Sequence, residues 1–268
     1  MTDRTPADAI ELARSALADA PAGLLSDLDG TLAPIVADPA GARLAERGEA
    51  ALDALARQLA VAGILTGRSA RDAHQIVGVD TMLVIGNHGL EWLEPGAPEP
   101  VPAPGLEWIS VALDQVMGAA RDALGDPRVT LDHKGLSGTI HYRMAEDPAT
   151  ARTALLAALA ANPHPGIEVR EGRMSIELRP AGVGDKGTAT RQVVERYDLR
   201  GLVVLGDDLT DLDMFRAAAA LRTDGRIRAA ILAVGGHGEV PDAVIAAADA
   251  VLPDPADVVV LLEALVSA

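Results

Sequence analysis

The hydrophobic positions of this chain follow two patterns. Short runs at 23–26, 61–65, 82–85, 202–205 and 229–234 are apolar at nearly every position, and longer alanine-rich stretches at 43–59, 70–77 and 188–197 lie between them. A run without a polar face suits a parallel strand covered on both sides. The stretches between suit right-handed helical crossovers. The first twenty residues mix acids and bases and read as an amphipathic first helix. A doubly wound α/β sheet is the expectation.

The middle of the chain breaks this rhythm. "EPGAPEPVPAPG" (94–105) is a Pro/Gly-rich connector. The pattern after it predicts a helix over 106–124. "RVTLDHKGLSGTIHYR" (128–143) then alternates apolar and polar positions on either side of a joint at 134–137. A second helix is predicted over 148–161, and "IEVREGRMSIELRP" (167–180) reads as a hairpin turning at Glu171, Gly172 and Arg173. This αββαββ run has period-two alternation and no parallel character. It predicts an inserted α+β cap over 106–181, with a discontinuous core formed by 1–105 and 182–268.

Composition narrows the function classes. At 268 residues, 49% hydrophobic, with a mean hydropathy of +0.19, the chain can bury a sizeable core. No apolar run reaches the ~18 residues of a membrane span, and the N-terminus lacks a secretory apolar region, so cytoplasmic residence is the expectation. The absence of cysteine excludes disulfides, thiolate catalysis and cysteine-ligated metals. A net charge of −16 argues against nucleic acid and anionic membrane as partners. A small molecule is the expected partner, and the protein is expected to be a monomer or a small homo-oligomer. Of 23 basic residues only two are lysines, Lys134 and Lys186. Arginine-rich coding explains the missing lysines but not the two that remain, and a compact ammonium is poorly replaced by a guanidinium.

In an open α/β sheet, ligands bind beyond the carboxyl ends of the strands. The first run is followed by Asp27, Asp29, Gly30 and Thr31, the second by Thr66, Gly67 and Arg68, and the fourth by Asp207, Asp208 and Asp211. Each group alone could be a turn or a helix cap. Together, after separate strands, the carboxylates would repel one another in a partly dry cleft, which a hard cation such as Mg2+ resolves. Thr66, Gly67 and Arg68 enter a helix, where backbone N–H groups and a hydroxyl offer an anion corner or an ordinary N-cap. Lys186 begins a predicted helix, where it opposes the helix dipole by ~0.3–1 kcal/mol. That position suits a ligand to phosphate and carboxylate.

In this order, "DLDGT" (27–31), "LTGRS" (65–69), Lys186 and "GDDLTD" (206–211) resemble the motifs of the haloacid dehalogenase (HAD) superfamily of phosphatases. "GNHGLEW" (86–92), "LDHKGLSGTIHYR" (131–143) and "SIELRPAGVGDKG" (175–187) are similar to the trehalose-6-phosphate phosphatases within it, over roughly residues 22–265. The chain departs from that family at Leu212 and Asp132, where glutamate is usual, by one extra residue in 179–187, and by a missing threonine in 235–244.

The resemblance implies a HAD-like core and a Mg2+-dependent phosphatase acting on trehalose 6-phosphate. Asp27 would attack phosphorus, giving an aspartyl phosphate. Asp29 would protonate the leaving sugar oxygen and then deprotonate water. Asp27, the backbone carbonyl of Asp29, and Asp207 would hold Mg2+, with Asp208 or Asp211 acting through water. Thr66 and Lys186 would spread the phosphoryl charge. Gly67, Arg68, Asn87, His88, Glu91, Lys134, His141, Glu177 and Arg179 would contact substrate.

Alternatives stay open at this point. His141 and Glu177 also fit ordinary exposed strand positions, Trp92 and Trp108 fit packing as well as sugar stacking, and His74, His164 and His237 read as surface residues. The substrate could be another phosphorylated glycoside or hexose, such as a glucosylglycerol or glucosylglycerate phosphate, and a phosphomutase would share the aspartyl phosphate. A catalytically silent binding protein on the same fold conflicts with retention of both Asp27 and Asp29.

Overall fold

A computed structural model of the chain describes residues 6–36, 41–103, 105–172, 174–235 and 240–267. It divides into two compact units, Met1–Val101 with Asp185–Ala268, and Pro102–Gly184. The first half of unit one runs α1 (Pro6–Leu17), β1 (Ala22–Ser26), α2 (Gly48–Gln58), β2 (Val61–Leu65), α3 (Ala70–Val77), β3 (Leu83–Gly86) and β4 (Glu91–Leu93), ending in the short β5 (Val101–Pro102). The second unit comprises α4 (Ile109–Leu124), β6 (Thr130–His133), β7 (Gly138–His141), α5 (Pro148–Ala161), β8 (Ile167–Gly172) and β9 (Ser175–Pro180). The chain then completes unit one with α6 (Lys186–Arg196), β10 (Gly201–Gly206), α7 (Leu212–Thr223), β11 (Arg228–Val234), α8 (Asp242–Ala247), β12 (Ala250–Leu252) and α9 (Pro255–Val266).

The main sheet has the order β12-β11-β10-β1-β2-β3-β4-β5. It is parallel from β12 to β3, and β4 pairs antiparallel with β3. β1 lies between β10 and β2, and all five of its residues are buried. Its successive side chains feed two cores. Leu24 joins the core built from α1, α2, α3 and α9, and Leu25 joins the one built from α6, α7 and α8. Two covered faces explain the continuous apolar runs, each fully buried leucine contributing about 1.5–3 kcal/mol.

In unit two the sheet order is β6-β7-β9-β8, antiparallel throughout. Ile140, Ile176 and Leu178 are fully buried. α4 packs on α5 and on β6 and β7. The other face of this sheet is polar. Its register sets Asp132, Thr139, Glu177 and Arg170 in one row across the four strands, with His141 and Ser175 in the next. Asp147 starts α5 by accepting from the N–H groups of Ala149 and Thr150, with Pro148 in the first turn.

Several elements differ from their sequence expectations. The helix expected over 43–59 begins at Gly48, because Arg47 adopts a left-handed conformation (φ 70°) that breaks the helical path. The helical stretch at 188–197 belongs to a helix that starts at Lys186, as that residue's place suggested, and Asp185 caps it by accepting from the Thr188 N–H at 2.6 Å. Glu171 and Gly172 are paired strand residues rather than turn. Met174 carries the left-handed turn conformation, and Arg173 lies outside the described residues. β4 has only three residues, too few to show a period in the sequence. Among the described residues, no helix is long and apolar enough to cross a membrane.

Candidate active site

The site builds outward from the end of β1. The Asp27 N–H continues the strand ladder by donating to the Leu205 carbonyl at 2.9 Å, which fixes the buried aspartate beside β10. Three residues on, Gly30 has φ +90°, and a Cβ there would lie 2.1 Å from Asp207 Oδ2. Only glycine both adopts that conformation and lets the Asp207 carboxylate come so close. The fully buried Thr31 hydroxyl donates to Asp207 Oδ1 at 2.9 Å. The motif thus positions a carboxylate 176 residues beyond Thr31 as well as its own.

Lys186, the first residue of α6, brings its Nζ to Asp27 Oδ1 at 2.6 Å and to Asp211 Oδ1 at 2.7 Å. Its side chain is 2% exposed. Asp211 is fully committed. Its Oδ2 accepts from the Asp207 N–H (2.9 Å) and the Asp208 N–H (3.1 Å). Asp208 is exposed and caps the single turn Leu209–Asp211, reciprocally with Asp211. The five acidic residues proposed for the metal therefore separate. Carboxylate oxygens of Asp27, Asp207 and Asp211 lie within 4.8 Å of one another. Asp208 points into its cap instead, and the Asp29 side chain faces Arg68, the ligand expected from Asp29 being its backbone carbonyl.

The charges of the cluster are unbalanced. Burial pushes the Asp27 carboxyl up; the Lys186 ammonium pulls it back, while Asp211 and Asp207 add to the rise. Asp207 is pushed up to about 6, first by burial and then by Asp211 and Asp208, against the Thr31 hydrogen bond. Burial alone would lower Lys186, yet Asp27 and Asp211 outweigh it and hold the ammonium above the ordinary lysine range. Three carboxylates share one ammonium. The donor set is hard oxygen without histidine or cysteine, and it fits a divalent cation such as Mg2+. Asp27 and Asp207 each spend Oδ1 on a protein donor, so their Oδ2 atoms are the natural ligands.

The end of β2 forms the adjoining wall. Thr66 is buried, and its N–H donates to the Ile85 carbonyl at 3.0 Å. The Arg68 guanidinium grips both oxygens of Asp29, Nε to Oδ2 at 2.6 Å and Nη2 to Oδ1 at 2.7 Å. Asn87 and His88 both adopt left-handed conformations, φ 49° and 58°, which are costly for non-glycine residues. They are held by hydrogen bonds from the Asn87 N–H to the Arg68 carbonyl (2.7 Å) and from the His88 N–H to the Thr66 carbonyl (2.8 Å). The His88 ring lies against Gly67, where a Cβ would stand 2.7 Å from it.

One open reading narrows here and one expectation changes. The Arg68 N–H donates to Thr66 Oγ1, the Ala70 N–H to Glu91, and the Asp72 N–H to Ser69 Oγ. These amides at the entry to α3 are therefore used internally, which favours the ordinary N-cap of the two readings the sequence left open. Glu91, expected to contact substrate, is a brace. Its Oε1 accepts from the Ala70 N–H (2.6 Å) and Asn87 Nδ2 (3.0 Å), and burial pushes its carboxyl up.

A sequence profile of the trehalose-phosphatase family matches residues 25–241. The chain belongs to the trehalose-phosphatase family. The trehalose-phosphate phosphatase of Mycolicibacterium paratuberculosis is 39% identical over 197 residues, covering 71% of this chain and 50% of that protein. The chain thus spans about half the length of such relatives. Among solved structures, Aspergillus fumigatus trehalose-6-phosphate phosphatase is 25% identical with a TM-score of 0.67, over 99% of this chain and 98% of that one. A haloacid dehalogenase-like hydrolase from Bacteroides thetaiotaomicron shares the fold, with a TM-score of 0.66 at 16% identity, over 91% of this chain and 97% of that one.

In this trehalose-phosphatase family member the remaining expected residues lie in unit two. Lys134 is exposed, its Nζ 3.7 Å from Asp132. Glu177 and Arg179 approach at 3.5 Å, and His141 is exposed on the same polar face. Asp132, where the family usually has glutamate, stands opposite Thr139. Leu212, the other departure, is buried in the core beside α7 and α8. Trp92 is core, and Trp108 stacks on His164 with ring centroids 5.0 Å apart. His164 is thus half-buried rather than a surface residue, as is His74, which sits 3.3 Å from Asp80; His237 lies outside the described residues. Thr31 stands among the residues that the sequence places after the first strand, but its hydrogen bond to Asp207 was not legible there.

Proposed function

We propose that the chain is a Mg2+-dependent phosphatase that hydrolyses trehalose 6-phosphate to trehalose and phosphate. The observation that carries this reading is the buried Lys186 bridge between Asp27 and Asp211, with Asp207 alongside. The family membership and the names of the relatives support the substrate.

In the first step an Asp27 oxygen bonds to phosphorus and the bond from phosphorus to the sugar oxygen breaks, that oxygen taking a proton from Asp29. In the second, a water oxygen bonds to phosphorus, its proton passes to Asp29, and the Asp27–phosphate bond breaks. Lys186 and the Thr66 hydroxyl bind the phosphoryl oxygens, and Asp211 keeps Lys186 aimed. Asp27 and Asp207 would hold Mg2+, which would supply positive charge where the phosphoryl group bears negative charge. Gly67, Arg68, Asn87 and His88 flank the phosphate, with Glu91 bracing them. On unit two, Lys134, His141, Glu177 and Arg179 supply donors and acceptors suited to a sugar rich in hydroxyls.

The test is a panel of sugar phosphates with phosphate detection, with and without chelator. Turnover of trehalose 6-phosphate that a chelator stops is expected. An enzyme that cleaves p-nitrophenyl phosphate but not trehalose 6-phosphate points to another phosphorylated glycoside. No release from any ester overturns the reading.

A further inference from the structure

Resting on that reading, we propose that Arg68 is an exchange residue. Its guanidinium holds Asp29 and transfers to the phosphoryl group when substrate arrives, so that phosphate binding and the release of Asp29 are one event. The two cations of the site differ in how they are held. Lys186 is 2% exposed and bridges two carboxylates. Arg68 grips the Asp29 carboxylate, and the side chains of the pair are 19% and 36% exposed. A buried bridge is expensive to open, whereas a partly hydrated pair opens readily.

The backbone of Arg68 is pinned at both polar groups, its N–H on Thr66 Oγ1 at 3.2 Å and its carbonyl on the Asn87 N–H at 2.7 Å. Only the side chain has room to change partners. β1 and β2 are adjacent and parallel, so Arg68 and the Asp27 cluster lie beyond the same sheet edge. Asp29, Asp72 and Asp27 all stand near enough to favour the charged guanidinium. A guanidinium fork fits phosphate as well as carboxylate, and the more highly charged phosphate is the stronger acceptor. Exchange also serves the proposed chemistry by freeing Asp29. With both oxygens of Asp29 accepting from Arg68, neither faces a leaving group.

The experiment is a double-mutant cycle read by calorimetric titration of inorganic phosphate in Mg2+, using the wild type, Asp29→Asn, Arg68→Gln and the double variant. If Arg68 exchanges, Asp29→Asn removes its competitor. Phosphate then binds about tenfold tighter in the Arg68 background and less than about threefold tighter with Arg68→Gln, the difference being one charge-assisted interaction. If Arg68 instead stays on Asp29, it screens that carboxylate, and Asp29→Asn helps more in the Arg68→Gln background. That ordering overturns the proposal. Arg68→Lys serves where Arg68→Gln does not fold. It cannot grip both oxygens, so the gain from Asp29→Asn should shrink, and an undiminished gain overturns the proposal. A wild type that binds no phosphate overturns the phosphatase reading itself, whereas phosphate binding with the wrong ordering removes only the exchange.

Discussion

The cluster at the ends of β1 and β10 and the polar face of the antiparallel sheet use the same residue types under opposite conditions. Lys186 is 2% exposed, with carboxylates at 2.6 and 2.7 Å, and Lys134 is 43% exposed, with one carboxylate at 3.7 Å. In the first region the dielectric is low and the partners are anchored to backbone amides, so geometry is held tightly and an unpaired charge is very costly. In the second, water screens the pairs and each contributes about 0–1 kcal/mol. A rigid, dry constellation suits a phosphoryl transfer shared by many substrates. A hydrated row of adjustable side chains suits the sugar-binding role proposed for it, and tolerates a change such as Asp132 for glutamate without unsettling the fold.

Substitutions can break or sharpen this contrast. The largest effect is expected for Asp27→Asn, which should retain the fold but lower phosphate release at least about 10^4-fold, measured by single-turnover phosphate detection. Residual turnover near the wild-type rate would remove Asp27 as the nucleophile. Next, Lys186→Met should lose about 3–5 kcal/mol in urea unfolding because two buried carboxylates lose their cation. Unchanged stability would mean that the two regions are energetically alike after all.

A smaller effect concerns Asp207. Its carboxyl is raised from 3.8 to about 6 in the folded chain. Between those values the folded state keeps a proton that the unfolded state has released, so metal-free stability should fall as pH rises through this window. The fall should be about 1–2 kcal/mol after allowance for partial exposure. Asp207→Asn should flatten the slope, and Mg2+ at pH 7 should raise the melting temperature of the wild type but not of this variant. The smallest effects are expected in unit two. Lys134→Ala or Glu177→Gln should change stability by less than about 0.5 kcal/mol. Each should raise KM for the sugar phosphate about tenfold while leaving p-nitrophenyl phosphate turnover unchanged. A parallel loss on both substrates would place these residues in the shared chemistry.

Much of the parallel core was legible because its signal is local. The run at 61–65 and the helix at 70–77 appear in the structure with the expected bounds. β4 was not legible, since three residues carry no period. Within the site, "GDDLTD" announces several carboxylates near a strand end but does not distinguish them. Asp207 turns to the cluster, Asp208 to its own helical turn, and Asp211 to Lys186 and two amides. That division depends on a single helical turn and on partners far along the chain. The same holds for Glu91, whose acceptor role could not be read because the donor, the Ala70 N–H, lies 21 residues away.

The amino-acid sequence by itself determined the alternation of buried strands and covering helices, the separate character of the middle segment, and the motifs that mark the strand ends. These follow from side-chain hydrophobicity and short-range spacing, which any stretch of chain carries with it. The tertiary structure alone decided which oxygen meets which nitrogen: Lys186 between Asp27 and Asp211, Thr31 on Asp207, Arg68 on Asp29. Those pairings depend on positions tens to hundreds of residues apart, and only the packing of the sheet brings them within a hydrogen bond's reach.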